Sequence, residues 1–422
     1  MADYDPQILV LLGDNVYADN VNGRMQPATP ERIAAAYRTL NANPDFARLS
    51  EAAHLMATWD DHDYGNNDAG AEWTHKVESA TLFHDFLKTP ADSPLRAQAG
   101  VYQARIFGPP GKRVQVIMLD TRYFRSDLPK ADNPKPGWRS RPYLPQTGPA
   151  AQLLGEAQWA WLALQLRQPA EVRLIGSSIQ VISDEHPFEM WGNFPDERQR
   201  LYDLLRATAA SGVVILSGDR HLGELSLDSQ AISYPLYDVT ASGLNQGHQG
   251  WRLPEPNARR LAGLPYGNHF GSIEIDWETT PPTVALQLRL EDGQIAVQTQ
   301  VPLDVLTAEP APLPRPDGVL SPAEVLGLAV GQEVVVQFGV RSGRELNRPN
   351  RLLLNSEQNY QAETNLTLVM APTALTGANQ DARLSPLLNR TVRAKGRITL
   401  YNDRKQVEVS RPEDWQVIEP GN

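Results

Sequence analysis

Three apolar runs in the chain end abruptly in clusters of carboxylates and imidazoles. Residues 8–12 (Ile-Leu-Val-Leu-Leu) lead into Gly13-Asp14-Asn15-Val16-Tyr17, residues 53–59 into Asp60-Asp61-His62-Asp63, and residues 213–216 into Ser217-Gly218-Asp219-Arg220-His221. A short apolar run stopped by glycine or charge predicts a buried parallel strand. Ligands bind beyond the carboxyl ends of such strands in open α/β sheets. The three runs are therefore expected to deliver Asp, Asp-His and Asp-x-His to one rim, an arrangement suited to a two-metal hydrolytic site.

Around these runs, helix-like and strand-like patterns alternate up to about residue 300. Pro30 opens a helix to about Leu40, with proline at a tolerated early position. Residues 113–119 predict a strand ending at Asp120-Thr121-Arg122. Residues 155–168 predict an amphipathic helix with Trp159, Leu162 and Leu166 on one face. Residues 172–182 read as a strand, and residues 195–209 as the helix leading into the strand at 213. This alternation implies an α/β fold with a mostly parallel layered sheet. Residues 271–277 and 283–289 alternate in period two with no helix between them, which predicts antiparallel strands on a second sheet or at an edge.

Five prolines between residues 308 and 322 mark a semi-rigid linker and a domain boundary. The expected division is a catalytic domain over 1–307, a linker over 308–322 and a small domain over 323–422. In the last of these, residues 333–340, 352–354, 366–370, 391–401 and 406–410 predict about five short strands, enough for a small β-barrel.

Composition narrows the functional classes. Of 422 residues, 41% are hydrophobic and 21% charged, ordinary for a globular chain of about two domains. No apolar stretch approaches the roughly 20 residues that span a bilayer. The absence of cysteine excludes disulfides, thiolate ligands and thiol nucleophiles. The net charge of −11 is uneven: from residue 323 onward 12 Lys/Arg meet 11 Asp/Glu, so the preceding part holds 27 basic and 39 acidic groups. That acidity argues against a broad nucleic-acid surface there. It agrees with loops whose charge bound cations would offset.

Each cluster has a chemical and a bland reading. Asp14, after a buried strand and a glycine, can bridge two cations or simply cap the following turn. Tyr17, three residues on, can curl back to the same point, where a phenolate would favour ferric iron over zinc. Asp60 to Asp63 with Asn66, Asn67 and Asp68 is either a metal-binding loop or a solvated acidic one. Buried, so many polar groups need partners. One carboxylate there would take a metal and leave His62 to act as acid or base, work suited to an imidazole. Asp219 and His221 flank Arg220 and, in an extended segment, would point the same way. Arg122 and Arg125 offer a bidentate grip on a phosphate oxygen or a structural salt bridge. The remaining histidines, at 54, 75, 84, 186, 248 and 269, show no comparable setting. No Walker loop and no Gly-x-Ser-x-Gly elbow occurs.

Together these motifs resemble the PhoD-like (alkaline phosphatase D) metallophosphatases. The matching elements are residues 13–17, Trp59 to Asp63 with Asn66-Asn67, and Leu119 to Arg122. Trp191-Gly192-Asn193-Phe194-Pro195 with Arg198, and then residues 217–221, complete the set. The resemblance implies a four-layer α/β/β/α metallophosphoesterase core and hydrolysis of phosphate monoesters or diesters by a metal-activated hydroxide, with iron and calcium as the metals. It also implies Asp14 as bridging ligand, Tyr17 as iron-bound phenolate, and Asp60, Asp61, Asp219 and His221 as further ligands. His62 and Arg122 are implied in catalysis, and Asn66 and Asn67 at the substrate. The family begins with a strand carrying a first metal ligand, and Met1 lies only thirteen residues before Asp14. That strand is expected to be missing here. The resemblance suggests a secreted or periplasmic protein, although the first apolar run, short and preceded by acids, does not read as a signal peptide.

The C-terminal segment resembles a small OB-fold barrel through Arg393-Ala394-Lys395-Gly396-Arg397 and the strands around it. Such barrels often bind oligonucleotides or sugars. Here near-neutral charge and only Phe338, Tyr360, Tyr401 and Trp415 for base stacking favour a structural accessory role over nucleic-acid binding. The competing view of the whole chain is a catalytically incomplete protein that binds oligonucleotides or another ligand through this barrel.

Overall fold

The computed structural model describes the chain except residues 1–3, 136–139, 250–254, 265, 309–314, 348–349, 358–359, 377–381, 383, 385–386, 388–389 and 419–422. It divides into two compact units, Met1–Ala308 and Glu309–Asn422.

In the first unit, β1 (Ile8–Leu12) buries Leu9 and Leu11 on one face, as period-two geometry requires. A short hairpin, β2 (Asn20–Val21) and β3 (Arg24–Met25), leads to α1 (Pro30–Asn41). Thr29 caps that helix by accepting from Arg32 N–H, and Pro30 sits where a missing N–H is harmless. The next helix, α2 (Pro44–Ala52), repeats the device with Asn43 and Pro44. The strand β4 (His54–Thr58) then pairs in parallel with β1, Leu12 opposite Thr58, as a separate two-stranded sheet. After it come a single turn, α3 (Asp61–Tyr64), and α4 (Lys76–Phe86). Leu9 and Leu11 pack with Ile33 of α1 and Phe83 of α4, together with Trp59 and Tyr64.

A larger sheet follows: β5 (Gln103–Phe107), β6 (Val114–Met118), α5 (Glu156–Leu166), β7 (Val172–Ser177), α6 (Pro195–Ala207), β8 (Val213–Ser217), β9 (Gly223–Asp228), β10 (Leu236–Ala241) and β11 (Arg260–Leu264). Its strand order is β11-β9-β10-β8-β7-β6-β5. The four central strands are parallel, and antiparallel strands flank them. Trp159, Leu162 and Leu166 of α5 and Leu201 and Leu205 of α6 pack onto it with Val10 and Leu12 of β1. The two-stranded sheet therefore contacts helices on one face and the larger sheet on the other. A meander, β12 (His269–Asp276), β13 (Thr283–Leu290) and β14 (Ile295–Pro302), forms a third sheet. Its first two strands match the expected antiparallel pair, and β14 adds a third. A cavity of about 540 Å³ is lined by Val10 to Asp14 on one side and Asn268 to Phe270 on the other. Among the described residues, β1 and β12 each have a strand neighbour on one side only.

The strand expected over 172–182 ends at Ser177. Beyond it the N–H groups of Val181 and Ile182 donate to the Asp238 carboxylate instead of a ladder, so an apolar, buried segment continues as a loop.

In the second unit, Leu320 bridges Val336, and Ser321 caps α7 (Pro322–Leu326) through a reciprocal pair with Glu324. The strands are β15 (Glu333–Gly339), β16 (Ser342–Asn347), β17 (Asn350–Asn355), β18 (Thr367–Met370), β19 (Thr391–Tyr401), β20 (Arg404–Val409) and β21 (Trp415–Ile418). They form one sheet in the order β15-β19-β20-β18-β17-β16, with β21 also on β19, around Val336, Leu354, Leu368, Ile398, Val407 and Trp415. Two of these strands are not among the expected five: β16, with Leu346 as its one apolar residue, and β21, only four residues long. The expected linker falls partly on residues 309–314, outside the described set. No helix among the described residues is long and apolar enough to cross a membrane.

Candidate metal centre

The three carboxylate-bearing loops do converge, but from two sheets rather than one rim of a single sheet. β1 and β4 supply Asp14, Asp60 and Asp61, and β8 of the larger sheet supplies Asp219 and His221. Gly13 makes the close approach possible: at φ +101° it lies so near Asp60 that a Cβ would sit 2.4 Å from the Asp60 Cβ. Asp14 at φ +51°, Asp219 at φ +67° and His221 at φ +55° all occupy the sparsely populated left-handed region. The extended geometry expected for Asp219 and His221 is thus replaced by a tight turn immediately after β8. Strain of this kind is characteristic of functional sites.

The ligand atoms of Asp14, Asp60 and Asp219 lie within 4.8 Å of one another, as do those of Asp14, Asp61 and His62. Tyr17 curls back as expected, its hydroxyl donating to Asp14 Oδ2 at 3.0 Å and lying 2.8 Å from His221 Nε2. His221 Nε2 is 3.6 Å from Asp14 Oδ2. Two carboxylate oxygens in this cluster, Asp14 Oδ1 and Asp60 Oδ2, are buried with no hydrogen-bond partner. Burial, reinforced by the charge of Asp61, holds the Asp14 carboxyl well above the usual carboxylate range. Burial likewise raises Asp60 despite Arg122, and lifts Asp219 to about 6. Burial also disfavours ionised Asp61, yet Arg122, His62 and the Asp68 N–H outweigh it and hold that carboxyl below its ordinary value.

His62, on the single turn α3, has its Nδ1 at 2.9 Å from both oxygens of Asp19, a fully buried carboxylate. Burial opposes protonation of the ring, but the Asp19 bond and the charges of Asp61 and Asp14 prevail and raise its pKa to about 10. The Tyr17 ring lies against the imidazole at a centroid distance of 4.4 Å. The turn itself is fixed by Asp63, whose Oδ1 accepts from Asp60 N–H at 2.7 Å while Oδ2 accepts from Asn15 and Tyr37. Asn15 thereby ties the β1 loop to the β4 loop. Asn66 is half-buried and Asn67 exposed on the turn after α3.

Arg122 departs from expectation. Instead of facing a substrate phosphate it is fully buried. Its Nε donates to Asp60 Oδ1 at 2.6 Å and its Nη1 to Glu189 Oε2 at 2.8 Å, with Nη2 also on Glu189. A guanidinium so engaged by two carboxylates has no face left for a ligand. Arg125 is also buried, with Nη2 at 3.7 Å from Glu189.

Sequence reasoning missed Asp19 and Glu189, both isolated acids in mixed surroundings that only tertiary contacts distinguish. It also passed over His248, whose ring lies 5.8 Å from that of His221.

Comparison with known proteins follows the same residues. The sequence pattern of the PhoD-like phosphatases matches residues 1–226, just over half of the chain. Alkaline phosphatase D of Bacillus subtilis (strain 168) is 26% identical over 287 residues, covering 59% of this chain and 48% of that protein. The chain thus spans about half the length of that curated relative. A solved structure of PhoD superposes with a TM-score of 0.51 at 16% identity, over 70% of this chain and 63% of that one, a likeness of fold. GAP50, the anchor in the inner membrane complex of Plasmodium, matches at a TM-score of 0.37 and 11% identity, over 70% and 88% of the two chains. On the extent of the family match, the chain belongs to the PhoD-like phosphatase family.

Proposed function

We propose that this protein hydrolyses phosphate esters, monoesters or diesters, at a two-cation centre built on Asp14, Tyr17, Asp60, Asp61, Asp219 and His221. The observation that carries the proposal is the pair of buried oxygens without partners, Asp14 Oδ1 and Asp60 Oδ2. Leaving a buried acceptor unpaired costs about 1–3 kcal/mol, and more for a charged one. Among crowded carboxylates, a cation is the partner that fits. The all-oxygen set of Asp14, Asp60, Asp61 and Asp219 fits calcium. The phenol of Tyr17 and imidazole of His221 beside Asp14 Oδ2 make a mixed set that fits iron. Asp14 would serve both. Cations held there would neutralise phosphoryl oxygens and lower the pKa of a bound water toward about 7.

The chain's own residues supply the rest. His62 carries its proton under the influence of Asp19, so Nε2–H can donate to the departing ester oxygen. Asp19 holds the ring's orientation through Nδ1. Asn66 and Asn67, on the turn after α3, would meet the ester. Arg122 supports Asp60 and takes no part in binding phosphate.

The same reading extends to architecture. Helices α1, α2 and α4 outside the β1–β4 pair, and α5 and α6 outside the larger sheet, fit a four-layer α/β/β/α core. The second unit fits an OB-like barrel in an accessory role, its near-neutral charge arguing against nucleic acid as its partner.

The test is hydrolysis of bis-p-nitrophenyl phosphate by metal-loaded protein. Asp14→Asn is expected to lower that rate by roughly 10²-fold or more, and chelation to abolish it, while His62→Ala is expected to lose as much on an alkyl diester, whose leaving oxygen needs a proton. Unchanged rates in either variant would remove the assignment.

A further inference from the structure

We infer that Glu189 is a positioning residue that decides which oxygen of Asp60 faces the cation, acting through Arg122. The inference rests on the reading of the acidic cluster as a metal centre. Glu189 comes from the loop between β7 and α6, Arg122 from the end of β6 and Asp60 from the end of β4, and all three are buried. A guanidinium has two edges that each match a carboxylate as a two-pronged fork. Glu189 occupies the Nη1/Nη2 edge with both of its oxygens. Asp60 meets the Nε/Nη2 edge through Oδ1 alone, which accepts from Nε at 2.6 Å and also contacts the Nη2 that Glu189 shares. Its other oxygen, Oδ2, is buried with no partner, and one carboxylate oxygen each of Asp14, Asp60 and Asp219 lie within 4.8 Å of one another.

The consequence is steric and directional. While Glu189 holds Nη1 and Nη2, Arg122 cannot rotate to fork onto both oxygens of Asp60. Without that hold, the guanidinium is left with Asp60 as its strongest partner and would take Oδ2 as well. The cation would lose a ligand although no ligand residue had changed. Supporting groups of this kind typically alter metal affinity about 10–100-fold.

Calcium titration by calorimetry and europium luminescence on the full chain test this. Glu189→Gln and Glu189→Asp are both expected to weaken calcium binding about 10–100-fold, and to add one water to bound europium as Asp60 is withdrawn. Glu189→Asp is the discriminating variant, since it keeps the charge but shortens the reach. Calcium affinity and water count at the wild-type level in Glu189→Asp would overturn the positioning role. A crystal structure of the calcium-loaded wild-type protein tests the same claim without relying on a buried substitution folding. It should show Asp60 bound through Oδ2 alone and Arg122 on Oδ1; a bidentate Asp60, or an Arg122 turned away, would overturn the inference. If the wild-type protein binds neither calcium nor europium, the metal-centre reading itself fails, an outcome separate from the failure of Glu189.

Discussion

Replacing Asp19 by asparagine removes one negative charge from beneath His62 while preserving its shape. In the native arrangement both Asp19 oxygens lie 2.9 Å from Nδ1, and the carboxylate is fully buried. A hydrogen bond to a charged group contributes about 1.5–3 kcal/mol, and one pKa unit corresponds to about 1.4 kcal/mol. The substitution should therefore lower the His62 pKa by about 1–2 units. The direction follows from the charge: without the anion, imidazolium is less favoured, so the alkaline limb of the pH–rate profile moves to lower pH. The amide can also present its NH₂ to Nδ1 and impose the wrong tautomer, placing no proton on Nε2. With an alkyl diester, whose leaving oxygen needs a proton, kcat should fall roughly 10–100-fold, the kinetic equivalent of that bond. With p-nitrophenyl esters, whose leaving group departs as a stable anion, the loss should be much smaller. Parallel kcat measurements on the two substrate types across pH provide the assay. Equal losses on both, or none on the alkyl ester, would show that His62 is not the proton donor and that Asp19 merely fills space.

Three further outcomes are expected. Gly13→Ala forces a Cβ against the backbone and Cβ of Asp60 at a positive φ; overpacking and strain of about 1–3 kcal/mol each should be visible in urea denaturation, with metal binding lost as Asp60 shifts. Burial raises the Asp238 pKa to about 6. The folded state therefore binds a proton that the unfolded chain releases near pH 4, so this group's contribution falls by about 3 kcal/mol as pH rises from 4 to 6. Asp238→Asn, which can still accept from Val181 and Ile182, should remove that difference, measured as the wild-type-minus-variant stability at pH 4.5 and 7.5. Calcium at about 100 times its Kd should stabilise the protein by about 2.7 kcal/mol, an increase in melting temperature that Asp14→Asn abolishes.

What was legible in the sequence follows from local physics. The runs before Asp14, Asp60 and Asp219 read as strands because a buried parallel strand has no polar face to break the apolar pattern. Their ends read as a site because charge after such a run needs a reason. The helices at 30, 156 and 195 declared themselves through proline, capping and one apolar face. The division of β1–β4 and β8 between two sheets was not legible, since strand pairing is a long-range choice that leaves no mark on either run. The segment after Ser177 is as apolar as a strand, and only the distant carboxylate of Asp238 ends the ladder. Arg122 read equally as a phosphate grip or as a salt-bridge partner, with a role in catalysis implied by the family resemblance, because its motif shows a cation near carboxylates without showing their direction. Glu189 and Asp60 enclose it, and the salt-bridge reading is the one the contacts favour. Asp19 and Glu189 have no neighbouring pattern at all; each acquires meaning from a partner 43 or 67 residues away.

The central claim is that side chains from Asp14 to His221 gather around cations. Anomalous diffraction from crystals of the protein soaked in iron and calcium salts, recorded on either side of the iron edge, tests it most directly. The expected result is an iron peak bounded by Asp14, Tyr17 and His221 and a second, non-iron density bounded by Asp14 Oδ1, Asp60 Oδ2 and Asp219, with oxygen ligands at about 2.0–2.6 Å. Crystals in which those oxygens remain without any cation density at saturating metal would contradict it.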